Sequence, residues 1–299
     1  MDTLPFVVIP VFNGWEQTRR CLLALRASAG LLHVIVVDHG SSDATRTELP
    51  LQFPEVRIVC GDSSLWWTGA TNLGIRAALA AGAELVMLLN NDCYLERDAV
   101  EHLLRHHRHR PDAIIAPRQC DERGGDAAVE RMASCLLLGF SNLRLPRALA
   151  PRPDADGLIP VRLIGGGRGV LIPAAVLQRV GLFDQERLPH YAADNDFYFR
   201  CRKLGVPLLI AGDAWVTVDS ARTSLAAAGA PHSLAELRRL LSEPRSHRNL
   251  DAQSALFRKH YPIPGLYRVG VFLFVLRYLL LSLGRRLSGR AAGGAGPAT

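Results

Sequence analysis

The segment Leu85-Val-Met-Leu-Leu-Asn-Asn-Asp92 consists of five apolar residues followed by three polar ones. A short, wholly apolar run is typical of a strand buried on both faces, as in a parallel sheet covered by helices. Comparable runs precede it in the chain, separated by segments with helical spacing: Phe6–Ile9, Trp15–Ala29, His33–Val37, Val56–Cys60 and Gly69–Gly82. This alternation predicts βαβ units and therefore an α/β fold with a mostly parallel sheet.

The alternation continues downstream of Asp92 with one interruption. A helix at Arg97–His109 and a strand at Ala113–Ala116 follow, after which the periodicity is lost between Arg118 and Leu163. We interpret that stretch as an irregular insertion or an antiparallel excursion. Four further elements are predicted after it: a strand at Val170–Ile172, a helix from Pro173 to Val180, a helix at Phe197–Leu204 and a strand at Val206–Ile210.

The C-terminal part of the chain differs in composition from the rest. The formal net charge is +7, but residues 238–299 carry eleven Lys and Arg against two acidic residues, so the remainder is slightly acidic. The same part contains the apolar runs Val269–Leu276 and Tyr278–Leu283. Basic charge combined with apolar surface favours an anionic membrane over nucleic acid as a partner.

We expect the helix that carries these runs to lie on a membrane rather than across it. Arg277 interrupts the runs, and a spanning helix would bring it near the bilayer centre at a cost of about 2.5–3.5 kcal/mol. Three other segments complete the C-terminal part: a loop at Ala226–Pro231, a helix at Leu234–Leu241 and a disordered tail at Ala291–Thr299.

The length of the chain and its cysteine content limit the classes of protein to which it can belong. A chain of 299 residues, 48% of them hydrophobic, is long enough for one large α/β domain or two small ones. Its N-terminus leads directly into the strand at Phe6, without the pattern of a signal peptide. The six cysteines have no metal-binding spacing, which is typical of reduced thiols in a cytosolic protein.

Polar residues follow four of the predicted strands. Because ligands of doubly wound sheets bind at the carboxyl ends of the strands, these residues predict a cleft for a polar ligand and a cation: Asn13, Gly14, Asp38, Asp62, Ser63, Asn90, Asn91 and Asp92. The first strand is followed by neither a GxGxxG nor a P-loop pattern, which argues against a dinucleotide oxidoreductase and a P-loop NTPase. The run Gly165–Gly169 precedes a strand rather than a helix, so we do not expect it to cradle phosphate.

Leu188-Pro-His-Tyr-Ala-Ala-Asp-Asn-Asp-Phe-Tyr-Phe-Arg200 places two carboxylates, Asp194 and Asp196, between Tyr191 and Phe197. Carboxylates are costly to bury beside apolar groups unless they are paired or bound to something. An acidic residue at the start of a helix is usually an N-cap, but beside a pocket it can act as a general base. These residues alone leave both roles open.

Together these segments resemble the inverting family 2 glycosyltransferases of the GT-A fold. The resemblance extends from Leu4 to Gly212 and rests on the order and spacing of Val8–Gly14, Val36–Asp43, Leu65–Gly74, Leu88–Asp92, Val180–Asp184 and Leu188–Arg200. Trp66-Trp67 and Leu188–Tyr191 are similar to a bacterial branch of rhamnosyltransferase-like enzymes. The resemblance implies a Rossmann-like, mostly parallel sheet covered by helices, with a C-terminal helical extension.

The resemblance also implies roles for individual residues. The nucleotide-sugar site would comprise Pro10, Val11, Asn13, Asp38, Asp62, Trp67, Asn72, Asn90 and Asn91. Asp92 would coordinate Mg²⁺ or Mn²⁺, which would stabilise the diphosphate leaving group. Asp194, or alternatively Asp196, would be the catalytic base that deprotonates the acceptor hydroxyl.

Three positions depart from the family pattern. Asn90 stands where the metal-binding DxD sequence has its first acid, and Ala193 stands where many members have a glutamate beside the base. Asp219 lies near the position of a family histidine, and no role is assigned to it.

The function implied is that of a hexosyltransferase-type enzyme in bacterial surface polysaccharide synthesis, at the inner face of the plasma membrane. It would move a sugar from a UDP- or dTDP-sugar to a hydroxyl of a glycan or lipid-linked acceptor. The glycosyltransferase domain would cover residues 1–225, with a nucleotide-binding half at about 1–117 and an acceptor half at about 118–225. A membrane-associating extension would follow at 226–290 and the tail at 291–299.

Two other functions remain open at this point. A sugar-phosphate nucleotidyltransferase is disfavoured because the first strand lacks that class's glycine-rich, arginine-containing loop. An inactive nucleotide-sugar-binding protein is kept open by Asn90 and Ala193. Nucleic acid is not expected as a partner, and a homo-oligomer is left open.

Overall fold

The computed structural model describes residues 4–29, 32–122, 125–219 and 233–293. The chain forms two compact units. Unit 1 comprises Met1–Ala133 and Arg144–Ser220, and unit 2 comprises Ser134–Leu143 and Ala221–Thr299. Every residue proposed above for a ligand, a metal or catalysis lies in unit 1.

Unit 1 is built on a sheet whose nine described strands have the order β3-β2-β1-β4-β10-β6-β11-β5, with β9 paired to β11. The strands are β1 (Phe6–Val11), β2 (His33–Asp38), β3 (Arg57–Cys60), β4 (Leu85–Leu89), β5 (Cys93–Leu95), β6 (Ile114–Asp121), β9 (Leu158–Pro160), β10 (Arg168–Pro173) and β11 (Leu208–Val218).

The expected parallel pairing holds in one half of this sheet. Strands β3, β2, β1 and β4 are parallel neighbours, and β6 is parallel to β11. The other neighbours are antiparallel: β10 with β4 and β6, and β11 with β5 and β9. Two parallel strands must be joined by a crossover connection, which is usually a helix. The chain reaches the antiparallel strands β9 and β10 through the predicted irregular stretch instead of through such a helix.

The helices of unit 1 are α1 (Trp15–Ala29), α2 (Thr45–Gln52), α3 (Trp66–Ala80), α4 (Ala99–His109), α5 (Ala174–Val180) and α6 (Ala193–Lys203). The sequence predicted α1 with these bounds but gave no sign of α2 or β5. It also placed the start of α6 at Phe197, four residues too late. Acidic residues are favourable in the first turn of a helix, so Asp194 and Asp196 lie inside α6 instead of preceding it.

The irregular stretch contains short elements of its own. Strand β6 continues to Asp121, and β7 (Met132–Cys135) and β8 (Phe140–Arg144) form a separate two-stranded sheet. A 3₁₀ turn at Leu136–Leu138 connects them.

The core of unit 1 lies between the sheet and its helices. Val7, Ile9 and Val11 of β1 are fully buried against Leu22 and Leu25 of α1. On the other face, Gly74 of α3 lies so close to the sheet that a Cβ would come within 2.3 Å of Val8 Cγ1. A glycine is required there, and it lets α3 pack directly on β1 and β2.

Unit 2 contains α7 (Leu234–Ser242), α8 (Leu250–His260) and α9 (Tyr267–Gly293). The predicted helix at Leu234–Leu241 is observed, while the predicted loop at Ala226–Pro231 lies outside the described residues. Of the tail expected to be disordered, Ala291–Gly293 end helix α9 and the rest lies outside the described residues. Within α9, the 18 residues Tyr267–Gly284 have the length and mean hydropathy (1.5) needed to cross a bilayer.

Candidate active site

The carboxyl ends of β1 and β2 are held together by their loops. The buried Asp38 accepts a hydrogen bond from the Ser41 amide at 2.8 Å. Asn13 has a left-handed backbone (φ 58°), and its side-chain oxygen accepts from the Ser42 amide at 2.8 Å. Asn13 therefore braces the loop after β2. Pro10 and Val11, the last two residues of β1, are buried.

A second loop joins the ends of β2 and β3. The Gly61 amide donates to the Asp38 carbonyl at 2.8 Å. Asp62 is exposed and accepts from the Ser64 amide at 2.9 Å, which caps a 3₁₀ turn. Hydrogen bonds from the Ser64 hydroxyl and amide lower the pKa of Asp62. The Asp62 carboxylate is thus ionised and oriented at the rim.

Trp67 and Asn90 form a hydrogen-bonded pair at the end of β4. The Trp67 indole nitrogen donates to the Asn90 side-chain oxygen at 2.9 Å. Gly167 covers this pair, because its carbonyl accepts from the Asn90 amide at 2.6 Å. A Cβ on Gly167 would lie 3.2 Å from both Asn90 Oδ1 and Trp67 Cζ2. The glycine-rich segment, which was not expected to cradle phosphate, therefore forms one wall of this candidate site.

Two of the predicted donor residues have other partners. The Asn72 side chain is buried and bonds the Phe183 carbonyl (2.9 Å), the Phe183 amide (3.1 Å) and Gln185 Oε1 (2.9 Å). Asn91 donates to Thr18 Oγ1 of α1 at 3.0 Å. Asn72 thus holds the loop before α6, and Asn91 anchors the end of β4 to α1, so we leave both out of the donor site.

Asp92 lies beside a second acid, Asp219. The Asp219 amide donates to the Asp92 carbonyl at 2.8 Å, where the end of β11 lies beside the start of β5. Burial raises the pKa of Asp92, the Arg168 guanidinium opposes that rise, and the Asp219 charge adds to it. The two carboxylates and the guanidinium therefore share one polar region.

Asp194 and Asp196 differ in their surroundings. Asp196 is fully buried and forms an ion pair with Arg200 Nε at 3.0 Å, and Arg200 also donates to the carbonyls of Val180 and Leu182. Asp194 is partly exposed and accepts from the Gly166 amide at 3.0 Å. Burial raises the pKa of Asp194, with Arg168 again opposing the rise. Asp196 is therefore occupied by its ion pair with Arg200, and Asp194 is the less buried of the two carboxylates.

The segment before α6 is bound to the start of α3. Thr68 donates from its amide to the Pro189 carbonyl at 3.0 Å and from its hydroxyl to the Leu188 carbonyl at 2.7 Å. The Trp66 and His190 rings lie 5.6 Å apart. The structure thus brings together Trp66-Trp67 and Leu188–Tyr191, the two segments on which the resemblance to a bacterial branch was based.

Sequence reasoning missed Arg168 and Gln119. Arg168 Nη1 donates to Gln119 Oε1 at 2.7 Å, and Gln119 is buried in β6. The only signal in the sequence was a lone arginine within the glycine run Gly165–Gly169.

Within the four described ranges, no group of three or more His, Cys, Asp or Glu side chains is arranged to hold a metal ion. A divalent ion often needs only one or two carboxylates when phosphates supply the other ligands, and Asp92 with Asp219 fits that requirement.

A protein-family model described as "Glycosyl transferase family 2" matches residues 6–154. The matched residues are similar to a family 2 glycosyltransferase domain. The chain is accordingly an enzyme of the glycosyltransferase class. Strand β10, the glycine-rich segment and Asp194 lie beyond the matched residues of this domain.

Two solved structures show the fold of this glycosyltransferase. GalNAc-T7 with UDP, GalNAc and Mn²⁺ superposes with a TM-score of 0.59 at 16% identity, over 73% of this chain and 44% of the other. Residues 1–349 of TarS from S. aureus, in complex with UDP-GlcNAc, superpose with a TM-score of 0.56 at 13% identity, over 95% and 92%. The predicted fold class, a GT-A-type α/β fold with a C-terminal helix, is confirmed.

Sequence relatives reach further along the chain than the family model. An uncharacterized protein of Mycobacterium tuberculosis, Rv1525, is 25% identical over 226 residues, which cover 73% of this chain and 75% of the relative. An uncharacterized protein of Mycobacterium bovis, Mb1552, matches to the same extent.

Proposed function

We propose that this glycosyltransferase inverts the anomeric centre as it moves a sugar from a UDP- or dTDP-sugar to a hydroxyl of a glycan or lipid-linked acceptor. One observation carries the proposal. The glycine-rich segment bonds Asp194 through Gly166 and covers the Trp67–Asn90 pair through Gly167. The candidate base and the candidate wall of the donor site are therefore contacted by two adjacent residues, Gly166 and Gly167. The UDP and UDP-GlcNAc in the structural neighbours support a nucleotide-sugar donor.

In the proposed donor site, the nucleoside lies at the ends of β1 and β2, beside the backbone of Pro10 and Val11 and next to Asp38. Asn13 and Asp62 shape and charge the loops around it. Trp67 and Asn90 line the sugar side, because an aromatic face suits the C–H surface of a sugar. More specifically, we propose that the transferred sugar is similar to rhamnose.

Asp92 and Asp219 would hold Mg²⁺ or Mn²⁺ in this site. When bound, the ion would neutralise charge on the diphosphate leaving group. Arg168, fixed by Gln119, adds a second positive charge to the same region. Arginine suits this task because its planar guanidinium can bind two phosphate oxygens at once.

Asp194 is the proposed general base. Its carboxylate accepts the proton of the acceptor hydroxyl while that oxygen attacks the anomeric carbon and the bond to the diphosphate breaks. Attack from the side opposite the leaving group inverts the anomeric configuration. The hydrogen bond from Gly166 orients the carboxylate, and its raised pKa makes it a stronger base than an ordinary aspartate.

The proposed biological setting is bacterial surface polysaccharide synthesis at the cytoplasmic face of the plasma membrane. A lipid-linked acceptor is available there, and the basic, apolar composition of unit 2 is suited to such a surface.

A product assay tests the proposal. The full chain is incubated with Mn²⁺, a panel of UDP- and dTDP-sugars and a panel of glycoside acceptors, and the nucleotide products are separated by chromatography. Release of a nucleoside diphosphate together with a glycosylated acceptor is the expected result, and the Asp194→Asn variant is the matched control. Pyrophosphate as the product would indicate a nucleotidyltransferase, and donor binding without turnover would indicate an inactive binding protein.

A further inference from the structure

Among the residues that the structure describes, most of the exposed large apolar side chains belong to unit 2. Of the fifteen large apolar side chains that are exposed in the described ranges, nine belong to unit 2: Leu137, Leu138, Ile263, Leu266, Val269, Phe272, Leu280, Leu281 and Leu283. Single exposed apolar residues are ordinary, whereas apolar residues that share one face mark an interaction surface.

Four of these side chains form a stripe along helix α9. Val269, Phe272, Leu280 and Leu283 are all exposed, and Phe272 has 63% of its surface accessible. At 3.6 residues per turn they fall within an arc of about 80° on the helix surface. We call these four residues the α9 stripe.

The opposite side of α9 is packed against the rest of unit 2. At Gly270, a Cβ would come within 2.4 Å of Tyr261 and 2.6 Å of Phe257. Phe274 and Ser282 are buried. Gly139, in the turn after Leu138, lies so close to α9 that a Cβ would be 2.5 Å from the Phe274 amide nitrogen. Residues of unit 2 therefore cover one side of α9 and leave the side that carries the α9 stripe exposed.

Arg277 lies outside the α9 stripe. Its guanidinium carbon is 4.5 Å from the ring centroid of Phe140 and 4.5 Å from that of Tyr278. The sequence had suggested that Arg277 interrupts the apolar surface. In the structure its charge lies against aromatic faces of unit 2 and not within the α9 stripe.

A segment distant in sequence contributes to the same unit. The 3₁₀ turn Leu136–Leu138 packs on α9, and the Tyr261 hydroxyl donates to the Leu137 carbonyl at 3.4 Å. Leu137 and Leu138 are both exposed, Leu138 at 59%. The sequence had assigned membrane contact to residues 226–290 alone.

Charge indicates what covers this apolar surface. The sequence of unit 2 contains twelve Lys and Arg and three acidic residues, a formal charge of +9. Arg258 and Arg268, near the start of α9, are exposed. Apolar side chains flanked by basic ones match the boundary between the acyl chains and the anionic headgroups of a lipid surface.

We propose that unit 2 docks on an anionic lipid surface with helix α9 lying in the membrane plane, and that the α9 stripe and the turn Leu137–Leu138 both enter the headgroup boundary. The inference takes its biological setting from the proposed function. Lipid binding is measured without turnover, however, so either one can fail while the other holds.

The test is co-sedimentation of the full chain with vesicles of phosphatidylglycerol and phosphatidylcholine, or of phosphatidylcholine alone. Three double variants are compared: Phe272→Glu with Leu280→Glu, Leu137→Glu with Leu138→Glu, and Leu51→Glu with Leu204→Glu. The last pair is the matched control, because Leu51 and Leu204 are exposed leucines of unit 1. Circular dichroism and UDP-induced thermal shift verify that each variant is folded.

We expect the wild type to bind the anionic vesicles at low salt, and the first two double variants to bind about tenfold or more weakly, since each charged side chain opposes burial in the boundary. The Leu51/Leu204 control should bind as the wild type does. High salt should weaken binding, because the attraction of exposed charges is screened.

Three outcomes would overturn the proposal. Unchanged binding by either of the first two variants would remove that segment from the surface. Membrane association that survives alkaline carbonate would indicate a spanning helix. A dimer that the Phe272/Leu280 variant dissociates, in a protein that does not bind vesicles, would assign the stripe to a second copy of the chain.

Discussion

The Trp67 indole nitrogen donates a hydrogen bond to the side-chain oxygen of Asn90 at 2.9 Å. Asn90 is the position at which related enzymes have the first acid of their metal-binding DxD sequence. Its oxygen is here used to position an aromatic ring at the end of β4, while Gly167 closes over both residues. Asn90, which departs from the family pattern, is therefore hydrogen-bonded to Trp67 in this structure.

Replacing Trp67 by phenylalanine should destabilise the protein. The change leaves the partly buried Asn90 oxygen without its donor, which typically costs about 1–3 kcal/mol. Denaturant unfolding measures the loss. Adding Asn90→Leu should recover part of it, because the unpaired oxygen is then removed. A double variant as unstable as the sum of the two single variants would contradict the importance of this bond.

Asp194→Asn and Asp196→Asn should affect different properties of the enzyme, the first its turnover and the second its stability. Asp194→Asn cannot accept a proton, so turnover should fall by about 10²–10⁴-fold while UDP affinity stays nearly unchanged. Asp196→Asn should chiefly lower the free energy of unfolding, by about 1–3 kcal/mol, because it weakens the buried bond to Arg200. Initial rates and UDP titration, together with denaturant unfolding, separate the two. Full turnover by Asp194→Asn would remove it from the role of base.

The raised pKa of Asp194 predicts a pH dependence of stability. Burial lifts the folded-state pKa above the ordinary value of about 3.9, so the folded protein binds more protons than the unfolded chain between those two values. The stability that this group contributes is present below that window and is lost as the pH rises through it. Asp194→Asn should therefore raise the melting temperature at neutral pH, with a smaller effect near pH 4. An effect independent of pH would contradict the raised pKa.

Chelation should abolish turnover if Asp92 and Asp219 hold a divalent ion. Asp92→Ala and Asp219→Ala should each weaken UDP binding when Mn²⁺ is present and change it little when Mn²⁺ is absent. Isothermal titration with and without the ion measures this difference. Full activity in the presence of EDTA would assign neutralisation of the diphosphate to side chains such as Arg168.

Arg168→Gln should weaken UDP binding by about tenfold, because a hydrogen bond to a charged group contributes about 1.5–3 kcal/mol. Arg168→Lys should retain part of the affinity, since it keeps the charge and loses the planar fork. Gln119→Ala is the matched test of positioning and should weaken binding less than Arg168→Gln. Unchanged UDP affinity in Arg168→Gln would exclude contact with the diphosphate.

Local sequence predicted the parts of this protein that local physics determines. Runs such as Leu85–Leu89 must be buried, and their spacing from helical segments dictates a layered α/β fold. The start of α6 was wrong because acidic residues are compatible with both a loop and a first helical turn. The choice between Asp194 and Asp196 depends on Arg200 and on the carbonyls of Val180 and Leu182, so it required the structure.

Long-range contacts account for the other differences. Asn72 resembles a ligand-binding residue in its sequence segment, but its amide is satisfied by Phe183, 111 residues away. Arg168 could not be recognised because its neighbours Gln119, Asp92 and Asp194 come from three other parts of the chain. Residues of this kind acquire their surroundings only when the sheet is assembled.

The two hydrogen bonds from Thr68 to Leu188 and Pro189 have a consequence for engineering specificity. They join the beginning of α3, which carries Trp67, to the segment that leads to Asp194. A chimera that takes one of these segments from a relative and keeps the other would place mismatched backbones on either side of Thr68. Donor and acceptor preferences of this enzyme should therefore be exchanged by transplanting residues 65–74 and 183–196 together, as one cassette.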